Sequence, residues 1–223
     1  MNFFADAWTW IVDADNWAGA SGIPHRLFEH LAVTLLALLV AMVIALPVGL
    51  VIGHTRRGAG VVGAFTGGLR AVPTLGLLTL LGLWLGIGVR APFIALVVLA
   101  VPSLLTAAYS GVAAVDPQIP QAARAIGMRP AQVLLTVEAV LALPVIVGGI
   151  RTAALQLVAT ATLVAYTADV GLGRYLLAGL KSRDYPEMLG ASILVILVAV
   201  LVELLLAGCQ RFSRRLAAPA AAH

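Results

Sequence analysis

Arg151 carries the most conspicuous chemistry in this sequence, because it interrupts an otherwise apolar stretch from Ala139 to Ala168. A full charge at the centre of a bilayer costs about 3 kcal/mol or more, so such a residue normally faces a cavity or a partner. Two readings follow: a lining or gate residue of a path, or half of an ion pair with Glu138, Asp169, Glu203 or a second subunit. Other constellations fail on context. Gly58-Ala-Gly-Val-Val-Gly has dinucleotide-loop spacing, but it follows an apolar helix and two arginines rather than a strand. The sole lysine, in Gly179-Leu180-Lys181-Ser182, lacks the glycine that a phosphate-binding loop places directly before it. His25, His30, His54 and His223 have no metal-ligand spacing, and neither a serine-hydrolase elbow nor a zinc-protease motif occurs. The expectation is a chain with no catalytic site, no metal and no cofactor of its own.

The elements that would position Arg151 are membrane helices. Of 223 residues, 61% are hydrophobic and only 11% charged, less than half the share a soluble domain uses to cover its surface. Mean hydropathy is +1.04. The composition therefore predicts an all-α polytopic membrane protein. A single cysteine, Cys209, excludes a disulfide scaffold. The net charge of +4 comes from bases that flank apolar runs, which is topology information and argues against a nucleic-acid partner. The N-terminus has no basic region before its apolar residues and carries Asp6, Asp13 and Asp15, so no cleavable signal is expected. Phe3 to Trp17, with three tryptophans among acids, reads either as an interfacial helix on the bilayer or as a tail.

A helix needs about 20 apolar residues to cross the hydrocarbon core. Five runs qualify: Leu31–Gly53, Ala71–Val89, Ala91–Val115, Ala139–Ala168 and Met188–Gln210. The fourth is long enough to be a broken pair, but nothing inside it would satisfy the backbone of a turn, so it reads as one span. With the N-terminus outside, eight basic residues fall inside and five outside, with Arg151 in the membrane. That bias places the 116–138 loop in the cytoplasm and the two termini on opposite sides.

The 116–138 loop is the most informative part of the chain. Pro117 and Pro120 suit a helix start, Gln121-Ala122-Ala123 a turn of small residues, and Gly127 before Pro130 its end. A short helix of small residues has little core of its own and suits close approach by another protein. A second amphipathic stretch, Ala131 to Glu138, leads into the next span.

Gln-Ala-Ala-x-x-x-Gly at 121–127, followed by Ala-Leu-Pro at 142–144, resembles the EAA loop of ABC-importer permeases. His30-Leu-x-x-Thr-Leu, Ala45-Leu-Pro-x-Gly-x-x-x-Gly-His, Val72-Pro-Thr-Leu and Val115-Asp-Pro extend the likeness to osmoprotectant-type permeases. Gly149-Ile-Arg-Thr-Ala, Gly171-Leu-Gly, Gly179-Leu and Asp184-Tyr continue it in order, from about residue 28 to 210. Two departures stand out: Gln121 where the family usually has Glu, and Val140 where a proline is common.

The resemblance implies a type I ABC importer permease fold with five core spans in the bacterial cytoplasmic (inner) membrane. It divides the chain into an N-terminal interfacial segment (1–28), a transmembrane permease domain (29–210) and a cytoplasmic tail (211–223). Gln121, Ala122, Ala123, Arg124 and Gly127 would form the coupling helix that docks on a cytoplasmic ATPase, with ATP and magnesium held by that partner. A second permease subunit, identical or similar, and an external substrate-binding protein complete the implied set, the outer segment Asp169–Glu187 being its expected contact. Implied substrates are glycine betaine, choline, carnitine and proline betaine. Aromatic faces hold such cations best, and Trp84, Tyr109 and Tyr166 are the in-span candidates, against a plain anchoring role at span ends. Pro47, Pro102 and Pro144 would bend spans, and the pairs Gly63/Gly67 and Gly82/Gly86 read as helix packing. The alternative is a small ion-coupled secondary transporter or channel, or a scaffold without a path. Glu203 and the boundary residue Glu138 are the only in-span acids available for ion coupling.

Overall fold

The computed structural model describes residues 2–217, so the end of the 211–223 tail and His223 lie outside the described residues. The described residues form helices joined by short turns, without a strand. In order they form α1 (Phe3–Val12), a 3₁₀ turn (Ala14–Trp17), α2 (Ile23–Thr55), α3 (Ala59–Ala71), α4 (Thr74–Leu85), α5 (Arg90–Ala113) and α6 (Gln118–Ala125). A short α7 (Pro130–Gln132), a π-helical stretch (Val133–Glu138), α8 (Ala139–Thr160), a 3₁₀ stretch (Ala161–Tyr166), α9 (Gly173–Ser182) and α10 (Tyr185–Ala217) follow.

Four of these runs are long and apolar enough to cross a membrane: Ile23–Thr55, Arg90–Ala113, Pro130–Tyr166 and Tyr185–Leu216. A fifth span is reached only by counting α3 and α4 together, and they are bent by 83° at their junction. The single span expected over 71–89 is therefore corrected to a bent pair, and most of the expected 54–70 loop is the helix α3. Pro73 is the reason: it has no amide to donate, keeps extended backbone (φ −63°, ψ 124°) and disfavours helix at Val72. Pro47, Pro102 and Pro144 lie inside α2, α5 and α8 without ending them. The 130–166 run is continuous, as the one-span reading of 139–168 requires.

The chain packs as two compact units. One draws on Leu39–Ala71, Val98–Ala153 and Glu203–His223. Lipid is as apolar as leucine, so helices associate here through close backbone approach at small residues. A Cβ on Gly49 would lie 2.6 Å from the Ala108 Cβ and 2.8 Å from the Leu105 carbonyl oxygen, and one on Gly53 2.7 Å from the Val112 Cβ. These two glycines, four apart on α2, press directly on α5. On the other side of α5, Gly111 meets Ala142 and Gly149 meets Ala107, which brings in α8. Val112, Ala142 and Ile146 form the buried cluster between them.

The other unit draws on Met1–Leu38, Val72–Val97 and Ala154–Val202. Val158, Leu172 and Val198 form its core. Helix α1 is anchored by Trp10, which meets Tyr175 edge-on at 5.1 Å and covers Gly190. The Tyr175 hydroxyl donates to the Ser21 carbonyl, and burial raises its pKa above the ordinary phenol value, so it keeps that proton at neutral pH. Phe4 and Trp8 on α1 stay exposed.

The glycine pairs singled out in the sequence do not pack within the chain as expected. A Cβ on Gly63 or Gly67 would meet nothing within 4 Å. Gly86 instead ends α4 at φ +82°, leaving Gly82 to face only Thr167.

Candidate functional site

Helix α6 is short, amphipathic and displayed. Asp116 starts it by accepting the Gln118 amide at 2.9 Å on its carboxylate. Pro120 and Ala123 are buried, while Gln121, Ala122 and Arg124 are exposed. Its C-terminus closes with the Gly127 amide donating to Arg124 O and the Met128 amide to Ala123 O, which needs Gly127 at φ +91°. The turn leaves Ile126 82% exposed, an apolar residue that no group among the described residues covers.

Under α6 lies a hydrogen-bonded pair that sequence reading did not anticipate. His54, at the end of α2, hydrogen-bonds through Nδ1 to the Glu138 carboxylate, and both are largely buried. Glu138 closes the π-helical stretch, where the extra residue in the turn re-aims side chains. Arg56, at φ +53°, donates from Nη2 to the Val115 carbonyl at 3.1 Å. His54, Arg56, Gln121 and Arg124 line a cavity of about 320 Å³ beside α6. Nothing in the spacing of residues 54 and 138 announces the pair.

Arg151 has found its counter-ion on α10. Nε donates to Glu203 Oε2 at 2.7 Å, Nη2 to Oε1, and Nη1 to Gln210 Oε1 at 2.9 Å. Gln210 in turn donates to the Pro144 carbonyl at 3.2 Å. Of the three acids that the sequence offered, Glu203 takes the role, Glu138 being paired with His54 and Asp169 with Arg26 and Arg174. The pair is not sealed: the side chains remain 34% and 30% exposed.

The aromatic candidates are not brought together as a cage. Trp84 is 80% exposed, Tyr166 60% exposed and Tyr109 half-buried, and none belongs to an aromatic pair among the described residues. Tyr166 borders a cavity of about 670 Å³. Sequence reading also missed the node beside it, where Arg26 on α2 reaches Asp169 across the chain.

Residues 30–217 match the family described as "Binding-protein-dependent transport system inner membrane component". The chain belongs to that family. This permease is 30% identical over 187 residues to the choline transport system permease protein OpuBB of Bacillus subtilis (strain 168), covering 84% of this chain and 86% of that one. It has the same identity and coverage to the glycine betaine/carnitine/choline transport system permease protein OpuCB of that organism. Among solved structures it superimposes on a chain of the inward-facing MetNI methionine ABC transporter with a TM-score of 0.74, at 22% identity, covering 86% and 95% of the two chains. The type I ABC importer permease fold is thus the fold observed. The permease is a multi-pass inner-membrane transport subunit, and its family works in general with an ATPase and a substrate-binding protein.

Proposed function

We propose that this permease forms the path of an ATP-driven importer for osmoprotectants of the glycine betaine, choline, carnitine and proline betaine class. The substrate class is supported by the names of the relatives, which transport choline, carnitine and glycine betaine. The observation that carries the mechanism is α6: a helix held from beneath by Pro120 and Ala123, with Gln121, Ala122, Arg124, Ile126 and Gly127 offered outward.

In this reading α6 docks on a cytoplasmic ATPase that binds ATP and magnesium, and ATPase closure reaches the spans as movement of the helix. Gln121 replaces a charged contact by a neutral hydrogen-bonding one. The N-terminus is outside with α1 along the bilayer surface, and the α6 loop and the 211–223 tail are inside. A second permease, identical or similar, completes the path, and an external binding protein delivers substrate at the 169–187 segment. Arg151, Trp84, Tyr109 and Tyr166 line or gate that path.

Mild-detergent purification of the tagged chain from its native membrane, followed by mass spectrometry, tests the assembly. The expected companions are an ATPase bearing a nucleotide-binding loop and a permease copy or homologue. Recovery of an intact folded chain alone, in repeated preparations, would overturn the reading in favour of an ion-coupled transporter.

A further inference from the structure

A cavity of about 670 Å³ lies beside the 3₁₀ stretch Ala161–Tyr166 and α9. Tyr166, Asp169, Arg174 and Lys181 line it, among alanines and leucines. Its wall is built rather than incidental. Arg26, whose side chain is only 8% exposed, donates from Nη2 to Asp169 Oδ1 at 3.0 Å and from Nη1 to the Asp169 carbonyl at 2.6 Å. The same guanidinium holds Glu29, whose carboxylate accepts the Gly171 amide at 2.9 Å. Gly171 sits at φ +78° against His30, and Thr167 exchanges two hydrogen bonds with Gly88. The segment 167–171 is thereby fixed at both ends, and a site on a fixed wall needs little ordering when a ligand arrives.

The charges in this cavity are unevenly spoken for. Arg26 and Arg174 both fall on Asp169 Oδ1, at 3.0 Å each, and no protein donor among the described residues reaches Oδ2. Lys181 makes no ion pair or hydrogen bond through its side chain among the described residues. Tyr166 presents an exposed ring. The site therefore offers one uncommitted cation, one carboxylate oxygen and one aromatic face, between aliphatic walls. A molecule with a carboxylate at one end and an alkylated ammonium at the other satisfies all three, since such a cation prefers aromatic faces to water-ordering donors.

We propose that this cavity is a receiving site for a betaine-type zwitterion, with its carboxylate on Lys181 and its methylated cation between the Tyr166 ring and Asp169. The proposal rests on the substrate class given above and, in the orientation given there, opens the site to the outside. It differs from a docking role for the same cations, because a docking contact would not distinguish one substrate from another.

The test uses the complete importer in proteoliposomes, with saturating loaded binding protein and labelled glycine betaine or choline as probes. Lys181→Gln is expected to lower glycine betaine uptake about tenfold, with choline, which lacks the carboxylate, changing less than twofold. Stimulation of the ATPase by loaded binding protein is read in parallel, and normal yield and melting temperature of the complex certify folding. Tyr166→Ala should lower uptake of both probes, and Tyr166→Phe should restore it. Equal loss of both probes with lost stimulation would make Lys181 a docking residue and overturn the site. Wild-type uptake of both probes that neither variant alters would also overturn the site, leaving the substrate class intact. A wild-type importer that moves neither probe would overturn the substrate class itself, and the ligand named here with it.

Discussion

Arg151 Nε donates to Glu203 Oε2 at 2.7 Å, joining α8 to α10 across 52 residues of sequence and inside two apolar spans. Each charge is admissible there because the other neutralises it, and Gln210 occupies a further guanidinium donor. Glu203→Gln or Arg151→Met alone should strand one charge in a span, lowering both the yield of folded permease and its melting temperature. The double Arg151→Met/Glu203→Met change should recover most of both. Uptake by the double variant then divides the roles: a structural pair leaves transport intact, whereas a gate loses it despite normal stability.

Ile126 and Gly127 should matter to coupling rather than to folding. Gly127→Val forces a branched side chain to φ +91°, at a local cost of about 1–2 kcal/mol, and distorts the end of α6. Ile126→Asp leaves the backbone alone and places a charge on the exposed apolar tip. Both variants should insert and melt nearly as wild type, yet lose most ATP-dependent uptake. If Ile126→Asp left uptake and ATPase association unchanged, α6 would not be the docking element.

The two glycine pairs should behave oppositely. Gly49→Leu drives a side chain into Ala108 and the Leu105 carbonyl, which should destabilise by about 1–3 kcal/mol and cut the yield of folded protein. Gly63→Leu adds bulk where nothing lies within 4 Å, and the isolated chain should tolerate it. Thermal melting in detergent separates the two. Should Gly63→Leu also block assembly of the complex, that face of α3 meets another subunit.

The His54–Glu138 pair predicts a third kind of defect. Glu138→Ala leaves a largely buried imidazole without its partner, at a cost of about 1–3 kcal/mol, and releases the end of α2 from the start of α8. Proteolysis between residues 116 and 138 should accelerate. Glu138→Gln keeps a hydrogen-bonding group and should lie between wild type and alanine.

Composition and local pattern carried much of this architecture. Long apolar runs with flanking arginines predicted α2, α5, α8 and α10, because the bilayer forbids charge and unpaired backbone whatever the tertiary arrangement. Pro117, Ala122, Ala123 and Gly127 predicted α6, because cap and turn chemistry is local. The bend before Thr74 was equally encoded in Val72-Pro73, although hydropathy averaged over the run and hid it. Pairing was different in kind. Which acid would neutralise Arg151, that His54 would meet Glu138, and that Arg26 would reach Asp169 over 143 residues depend on how helices cross, and helix crossings depend on where small residues allow close approach. The sequence by itself determined where the four long apolar spans and the short helix α6 lie, because the bilayer and cap chemistry act locally. The tertiary structure alone decided which charges share a site, because proximity across helices is a property of packing and leaves no trace in spacing along the chain.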